Sequence, residues 1–397
     1  MKVVIVGGGF AGINLALSLA HNIKFQVTLV DKSDHHIFTP FLYQLAAGIF
    51  KPGDVSFPFL KMFSGKENLK FHSGELVEVS PAENKIILTN GILEYEYLIV
   101  ATGSQIQFQG NQNLLKKAFG IATVEDALAL KNHLVKQFET VDNHGKVQKL
   151  VVVGGGSSGV ETSAMLAQWL VDIEATTKLS KAKPEIYLIE KSGSLLASMD
   201  VKFQKHAYHS LTELGIKILL NCHVRDYLDD MVLLSSGEQF ETKTVIWTAG
   251  IKASKFNGFV LEAYGPENRL VVDSFNKVVG TYNVFAIGDV SIQKPENLPN
   301  SYPQVAQVAI QQGQNLAENF QLMAERKTLK EFVFKEAGSA IVLGKRKAIA
   351  NTSRPNIYFY GKVGWFVRLL LQLRAMIFHE NQWKMLYRGL YGYFWKR

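Results

Sequence analysis

The chain of 397 residues holds one cysteine, Cys222. It can form no intramolecular disulfide, no Cys-x-x-Cys redox pair and no multi-cysteine metal site within one chain. It also lacks a long apolar run. No window reaches 18 uncharged apolar residues, and the nearest approach, Val363 to Phe378, is interrupted by Arg368 and Arg374. A spanning helix is therefore not expected. A secretory signal is not expected either: Met1-Lys2 leads straight into Val3-Val4-Ile5-Val6 and a glycine cluster, which reads as the first strand of a domain. Charged residues at 20% and hydrophobic residues at 47% exclude long disorder and a collagen-like chain. At about 150 residues per domain, the length suggests two to three domains.

What is present is unevenly spread. Residues 361–397 carry seven Lys or Arg against one acid, Glu380, and three of the five tryptophans. They account for +6 of the net +8, and the other 360 residues are nearly neutral. A positive balance admits nucleic acid, an anionic membrane surface or acidic ligands as partners.

The sequence repeats itself at an offset of 147 residues. Lys2-Val3-Val4-Ile5-Val6-Gly7-Gly8-Gly9-Phe10-Ala11-Gly12 aligns with Lys149-Leu150-Val151-Val152-Val153-Gly154-Gly155-Gly156-Ser157-Ser158-Gly159. Each copy is a strand-length apolar run, then G-x-G-x-x-G, then a helical pattern over roughly Ala11 to Ala20 or Ser158 to Leu170. A second apolar run then ends in an acid, Asp31 in the first copy and Glu190 in the second. The first glycine permits a tight turn, the second lets the backbone approach a pyrophosphate, and the third allows close helix–strand packing. The diphosphate sits on the helix N-terminus, and the acid accepts from a ribose hydroxyl. Asp31 follows Gly7 by 24 residues and Glu190 follows Gly154 by 36, the excess being assigned to a loop around Ala175 to Pro184. One such motif alone can be an ordinary glycine-rich turn. Two copies in the same context imply two different dinucleotides.

Other segments carry less by themselves. Two strands run into small-residue turns, at Ala101-Thr102-Gly103 and Thr248-Ala249-Gly250. Small residues suit a backbone pressed against a flat cofactor, and an ordinary strand-end turn is the alternative. Asp289, after Val284-Phe285-Ala286-Ile287-Gly288, reads as an acceptor for a cofactor hydroxyl or as a helix cap. Gln307 and Gln311 are four apart and share a helix face, which also describes an exposed polar stripe. Glu161 sits where a glutamate favours a helix N-terminus. His35 and His36 read as loop residues without chemistry.

Taken together, residues 1 to about 320 resemble the two-dinucleotide-binding-domain flavoproteins. The resemblance implies FAD over Gly7, Gly9, Phe10, Ala11, Gly12, Asp31, Lys32, Ala101, Thr102, Gly103, Gly288, Asp289, Ala306 and Gln307. It implies a nicotinamide nucleotide over Gly154, Gly156, Ser158, Gly159, Glu190, Ala249 and Gly250. Glu190 favours a free 2′-hydroxyl and repels a 2′-phosphate, hence NADH over NADPH, with Lys191 beside it acting the other way. The single cysteine removes the disulfide reductases and the sulfide:quinone oxidoreductases, and Cys222 lies too late in the chain for the one-cysteine peroxidase branch. It reads as a buried structural residue.

Three segments are similar to type II NADH dehydrogenases, the single-subunit NADH:quinone oxidoreductases. They are His35-His36-Ile37-Phe38-Thr39-Pro40-Phe41-Leu42-Tyr43-Gln44-Leu45-Ala46-Ala47-Gly48, the Glu161 that follows Gly159, and Ala306-Gln307-Val308-Ala309-Ile310-Gln311. The resemblance implies a non-pumping enzyme that passes two electrons from NADH through FAD to a quinone, with Gln307 and Gln311 at the quinone and Glu161 on a proton route. A soluble-acceptor NADH oxidase or diaphorase, or an apoptosis-inducing-factor-like redox-signalling flavoprotein, is the alternative.

The tail turns helical from Trp365. At 100° per residue Arg368, Gln372, Ala375 and His379 form one narrow sector, and apolar residues fill most of the rest. A second stretch, Trp383 to Trp395, interleaves aromatics with Lys384, Arg388 and Lys396, a composition suited to a headgroup region. Packing on its own domain or on a second copy, as a homodimer, is the other use of such a face. High aliphatic content argues against nucleic acid. In the family this segment attaches the enzyme to the membrane, so an anionic membrane surface is the expected partner. His379 is the tail's candidate for a basic residue near the flavin and is given no role. The expected fold is α/β, with two Rossmann-like dinucleotide-binding domains, one inserted into the other, and a C-terminal amphipathic helical membrane anchor. Its bounds are 1–110 with 270–330 for FAD, 111–269 for NADH and 331–397 for the anchor. The expected location is peripheral, on the cytoplasmic face of a bacterial inner membrane.

Overall fold

A computed structural model of the chain describes residues 1–139, 147–176, 184–295 and 298–375. The second tail stretch from Trp383 and His379 lie outside the described residues, as does most of the loop expected before Pro184. The described chain divides into two compact units. The first comprises 1–37, 56–105 and 251–336. The second comprises 38–55, 106–250 and the residues from 337 onward. The 38–55 segment and the 337–375 segment thus pack with the second repeat.

The first unit is built on a five-stranded parallel sheet, in the order Val284–Ala286, Tyr97–Val100, Lys2–Val6, Gln26–Asp31, Leu69–Ser73. Its central strand, Val3 to Val6, is buried throughout. A continuous apolar run is what a parallel strand covered on both faces requires. Helices Phe10–Leu19 and Ala306–Ala324 pack on each other. Gly313 faces the backbone of the first of them, where an added β-carbon would come 2.6 Å from the Ala11 carbonyl oxygen.

The second unit repeats the plan with four parallel strands, Lys217–Leu219, Glu185–Ile189, Lys149–Val153 and Thr244–Trp247. The indole N–H of the buried Trp247 donates to the Gln107 carbonyl at 2.9 Å. Cys222 lies in this unit's core beside Val224 and Tyr227. The helix Ser157–Thr176 runs six residues beyond the expected Leu170. After residue 337 the chain forms a three-stranded antiparallel sheet of Ala340–Val342, Ala348–Ser353 and Asn356–Tyr360.

The helix Gly361–Ala375 packs on that sheet. Trp365, Arg368 and Leu369 are buried, whereas Val363 is 60% exposed, Phe366 49% and Leu370 45%. The sector that holds Arg368 is therefore the inward one, and apolar side chains face out. The cause is a partner inside: Arg368 meets a carboxylate and a phenol there. Among the described residues no helix is long and apolar enough to cross a membrane.

Candidate functional site

The two glycine turns have the same local geometry. Gly7 and Gly154 both have φ near +108°, a value that L side chains rarely adopt. A β-carbon on Gly12 would fall 1.9 Å from the Gly7 carbonyl oxygen, and one on Gly159 1.8 Å from that of Gly154. The third glycine of each motif is thus required by the helix pressing on the turn. Above Gly9 and Gly156 nothing lies within 4 Å of an added β-carbon, so both turns leave space where a pyrophosphate approaches. Gly9 caps its helix without a side-chain bond, which leaves the helix start open to an anion.

Each strand-end acid straps its own turn. Asp31 accepts from Gly8 N–H at 2.6 Å and Ser33 N–H at 2.9 Å. Glu190 accepts from Gly155 N–H at 2.5 Å and Ser192 N–H at 2.7 Å. A carboxylate has about four lone-pair directions, so capacity remains for ribose hydroxyls. Burial raises the Asp31 carboxyl above its ordinary range against the pull of the Gly8 and Ser33 amides. Lys32 is on the surface, 3.3 Å from Glu75.

The small-residue turns press on these glycines. A β-carbon at Gly7 would sit 2.2 Å from the Ala101 carbonyl oxygen, and one at Gly154 3.0 Å from Ala249 Cα. The buried Thr102 hydroxyl has no hydrogen-bond partner among the described residues. An orphaned hydroxyl at this turn suits a bound dinucleotide. Asp289 lies in a single helical turn, Gly288–Val290, and accepts from the Ser104 hydroxyl at 2.8 Å. Burial raises its carboxyl, opposed by Ser104 and Arg269.

Several side chains take places that differ from expectation. His36 lies in a short strand, His35–Ile37, not a loop, and pairs with Ser56–Pro58. It is buried with Nδ1 2.9 Å from the Gly8 carbonyl, and burial pushes its pKa down to about 4. The imidazole is neutral and its Nδ1–H donates, so it supports the first glycine turn. Phe10 packs edge-on against its ring at 5.3 Å. Gln311 uses both ends of its amide on the main chain of Lys335, at 2.9 and 3.0 Å. Gln312, which the sequence did not single out, accepts from Gly288 N–H at 2.7 Å and so fixes the turn before Asp289. Gln307 is half-buried in the first turn of the same helix, next to Ala306.

The second unit contains a buried polar cluster. Glu161, one turn into the 157–176 helix, accepts from Val342 N–H at 2.9 Å. Arg368 Nε lies 3.8 Å from its carboxylate. Arg368 Nη2 donates to Tyr43 at 2.5 Å and Gln44 Nε2 donates to it at 3.0 Å. The Arg368 guanidinium also lies over the Phe41 ring, 5.7 Å from its centroid. Burial raises the Glu161 carboxyl, with Arg368, Val342 N–H and Tyr43 pulling it back. A carboxyl raised by burial and reached by a specific cation is a candidate for proton chemistry. Sequence reading found Glu161 and quoted Tyr43 and Gln44 without a role, but read Arg368 only as part of the tail.

Residues 1–313 match the pyridine nucleotide-disulphide oxidoreductase family. The chain belongs to that family. It is 27% identical to the type II NADH:quinone oxidoreductase NdhA of Mycobacterium tuberculosis, over 96% of this chain and 84% of the relative. It is 25% identical to the type II NADH:quinone oxidoreductase of Staphylococcus saprophyticus, over 94% and 95%. Among solved structures, NDH2 from Plasmodium falciparum in complex with NADH superposes with a TM-score of 0.89 at 19% identity, covering 100% of this chain and 99% of that one. The sulfide:quinone oxidoreductase of Aquifex aeolicus follows the same fold, with a TM-score of 0.77 at 19% identity over 98% and 92%.

Proposed function

We propose that this chain oxidises NADH with a bound FAD and passes two electrons to a membrane quinone, as a type II NADH:quinone oxidoreductase that pumps no protons. The observation that carries the reading is a family member with two nucleotide cradles and a single, buried cysteine, whose curated relatives bear that enzyme name along nearly the whole chain. Without a second cysteine, no dithiol can serve as the electron acceptor. Bound FAD supplies a two-electron carrier between NADH and the quinone.

The first cradle, with Gly7, Gly9, Gly12, Asp31, Thr102 and Asp289, holds FAD. The second, with Gly154, Gly156, Gly159 and Glu190, holds NADH, and the Glu190 carboxylate favours the free 2′-hydroxyl. Gln307 is the candidate to meet the quinone, and Gln311 fixes the Lys335 segment for it. Turnover needs a proton that NADH does not bring: NADH, H⁺ and quinone give NAD⁺ and quinol. Glu161 is the group that supplies it.

The quinone is dissolved in lipid, and the 361–375 helix is the surface that reaches it. Val363, Phe366 and Leu370 point outward, and the basic residues from Lys362 onward suit anionic headgroups. A monotopic attachment to the cytoplasmic face of a bacterial membrane follows from this reading.

The test is steady-state NADH consumption by protein solubilised in detergent. Oxidation that requires a short-chain quinone and stops in air alone supports the reading. Equal rates in air, or only with a soluble dye, favour an oxidase or diaphorase. FAD that NADH reduces but no acceptor reoxidises favours a redox-signalling role.

A further inference from the structure

The peptide groups of the first glycine turn are held from two sides. Gly8 N–H donates to Asp31 at 2.6 Å, and the Gly8 carbonyl accepts from His36 Nδ1–H at 2.9 Å. A carbonyl only accepts, so the hydrogen bond itself requires the proton on Nδ1. In a trans peptide the C=O of one residue and the N–H of the next point in opposite directions. Fixing the Gly8 carbonyl on the imidazole therefore aims Gly9 N–H away from it. Gly9 is the N-cap of the helix Phe10–Leu19, and its N–H is one of the helix-start amides without an intrahelical partner. The bond to the carbonyl also polarises that donor, because hydrogen bonds linked through one peptide strengthen each other. The imidazole is held in place by its neighbours. His36 is 4% exposed, with Phe10 edge-on at 5.3 Å and Phe57, its partner across the strand pair, stacked at 6.4 Å.

The second turn is built alike but closed differently. Gly155 N–H donates to Glu190 at 2.5 Å, and the Gly155 carbonyl accepts from Leu196 N–H at 2.8 Å. Leu196 is held at a left-handed φ of +51° in doing so. The main chain does there what an imidazole does in the first turn. We propose that His36 is a positioning residue for FAD: its Nδ1–H holds the Gly8–Gly9 peptide so that Gly9 N–H is presented to the FAD pyrophosphate. The inference rests on the reading of the first cradle as the FAD site. The contact is a hydrogen bond only; no proton leaves the ring and no covalent bond changes. Because the donor is a side chain, it can be removed without altering the turn's own residues, and the second cradle keeps its clamp as an internal control.

The test is the FAD affinity of the full-length protein after its flavin is removed, read by fluorescence titration, with NADH binding measured on the same preparations. His36→Leu keeps an apolar side chain in the space and loses the donor. His36→Asn is smaller but places an amide N–H close to where Nδ1 stands. His36→Leu should bind FAD about tenfold more weakly, the cost of leaving the turn carbonyl without its donor. His36→Asn should recover most of that loss, and NADH affinity should be unchanged in both. A role in packing alone predicts the reverse order, since leucine fills the space between Phe10 and Phe57 better than asparagine does. His36→Asn as weak as His36→Leu, or His36→Leu with unaltered FAD affinity, overturns the proposal. So does a loss of NADH affinity that matches the loss of FAD, which marks general damage. Gly12→Ala separates the proposal from the reading beneath it. If Gly12→Ala binds FAD as tightly as the unmutated protein, FAD does not lie on this turn, and the inference falls with that reading. If Gly12→Ala loses FAD and His36→Leu does not, the reading stands and only the task given to His36 falls.

Discussion

Arg368→Leu isolates the electrostatics of the buried cluster. Arg368 and Glu161 are 3.8 Å apart, with side chains 4% and 14% exposed. At an effective dielectric near 20, that separation corresponds to about 4 kcal/mol of attraction, within the range of roughly 3–5 kcal/mol for removing one partner of a buried pair. The cost has a ceiling, because Glu161 can take up a proton instead of remaining charged and unpaired. Burial already raises its carboxyl above the ordinary value of 4.5. A group raised in this way binds protons more tightly when folded. Its stabilisation is fully present below the unfolded value and is lost as pH rises through the folded one. Removing Arg368 raises the folded value further and extends that loss to higher pH. Thermal unfolding of the full-length protein should therefore show a penalty for Arg368→Leu that grows from pH 5 to pH 8.5. Lost contacts to Tyr43 and Phe41 add a part that does not vary with pH. In a Glu161→Gln background the pH-dependent part should disappear. An equal penalty at every pH, or a pH dependence that survives Glu161→Gln, would refute the ion pair as the cause.

The cradles and the tail give three further tests. Gly12→Ala places a β-carbon 1.9 Å from the Gly7 carbonyl oxygen, and Gly159→Ala one 1.8 Å from that of Gly154. The first should be purified with little flavin, whereas the second should keep its flavin and bind NADH at least tenfold more weakly by equilibrium titration. Glu190→Ser removes the charge that opposes a 2′-phosphate, so the NADPH-to-NADH ratio of kcat/KM should rise about tenfold or more. Phe366→Ser with Leu370→Ser removes two half-exposed apolar side chains, about 1 kcal/mol of burial each. It should weaken sedimentation with vesicles of anionic lipid by tenfold or more and leave the melting temperature unchanged. These substitutions are cleaner than deleting Gly361 to Arg397, which would also strip Trp365, Arg368 and Leu369 from the core.

The two glycine turns were legible in the sequence because their constraints are local. Only glycine meets the φ of Gly7 and the close approach at Gly12, and Asp31 and Glu190 stand at strand ends that the apolar runs define. The buried cluster was legible only in part. Arg368 and Glu161 are 207 positions apart, and no periodicity reports a partner at that distance. A charged residue on an apolar helix is read as its solvent side, and here it is the buried side. Gln311 and Gln312 illustrate the same limit at one residue's resolution. The pattern identifies a helix with polar positions, but packing decides which amide reaches Gly288. His36 looked like a loop residue because its strand has three residues and exists only through pairing with Ser56–Pro58.

The most direct measurement of the central claim is an anaerobic titration of the purified protein followed by its visible spectrum. A flavin absorbance that one equivalent of NADH bleaches, and one equivalent of quinone restores, is the predicted result. A protein without flavin, or a reduced flavin that quinone fails to reoxidise while oxygen does, would contradict it.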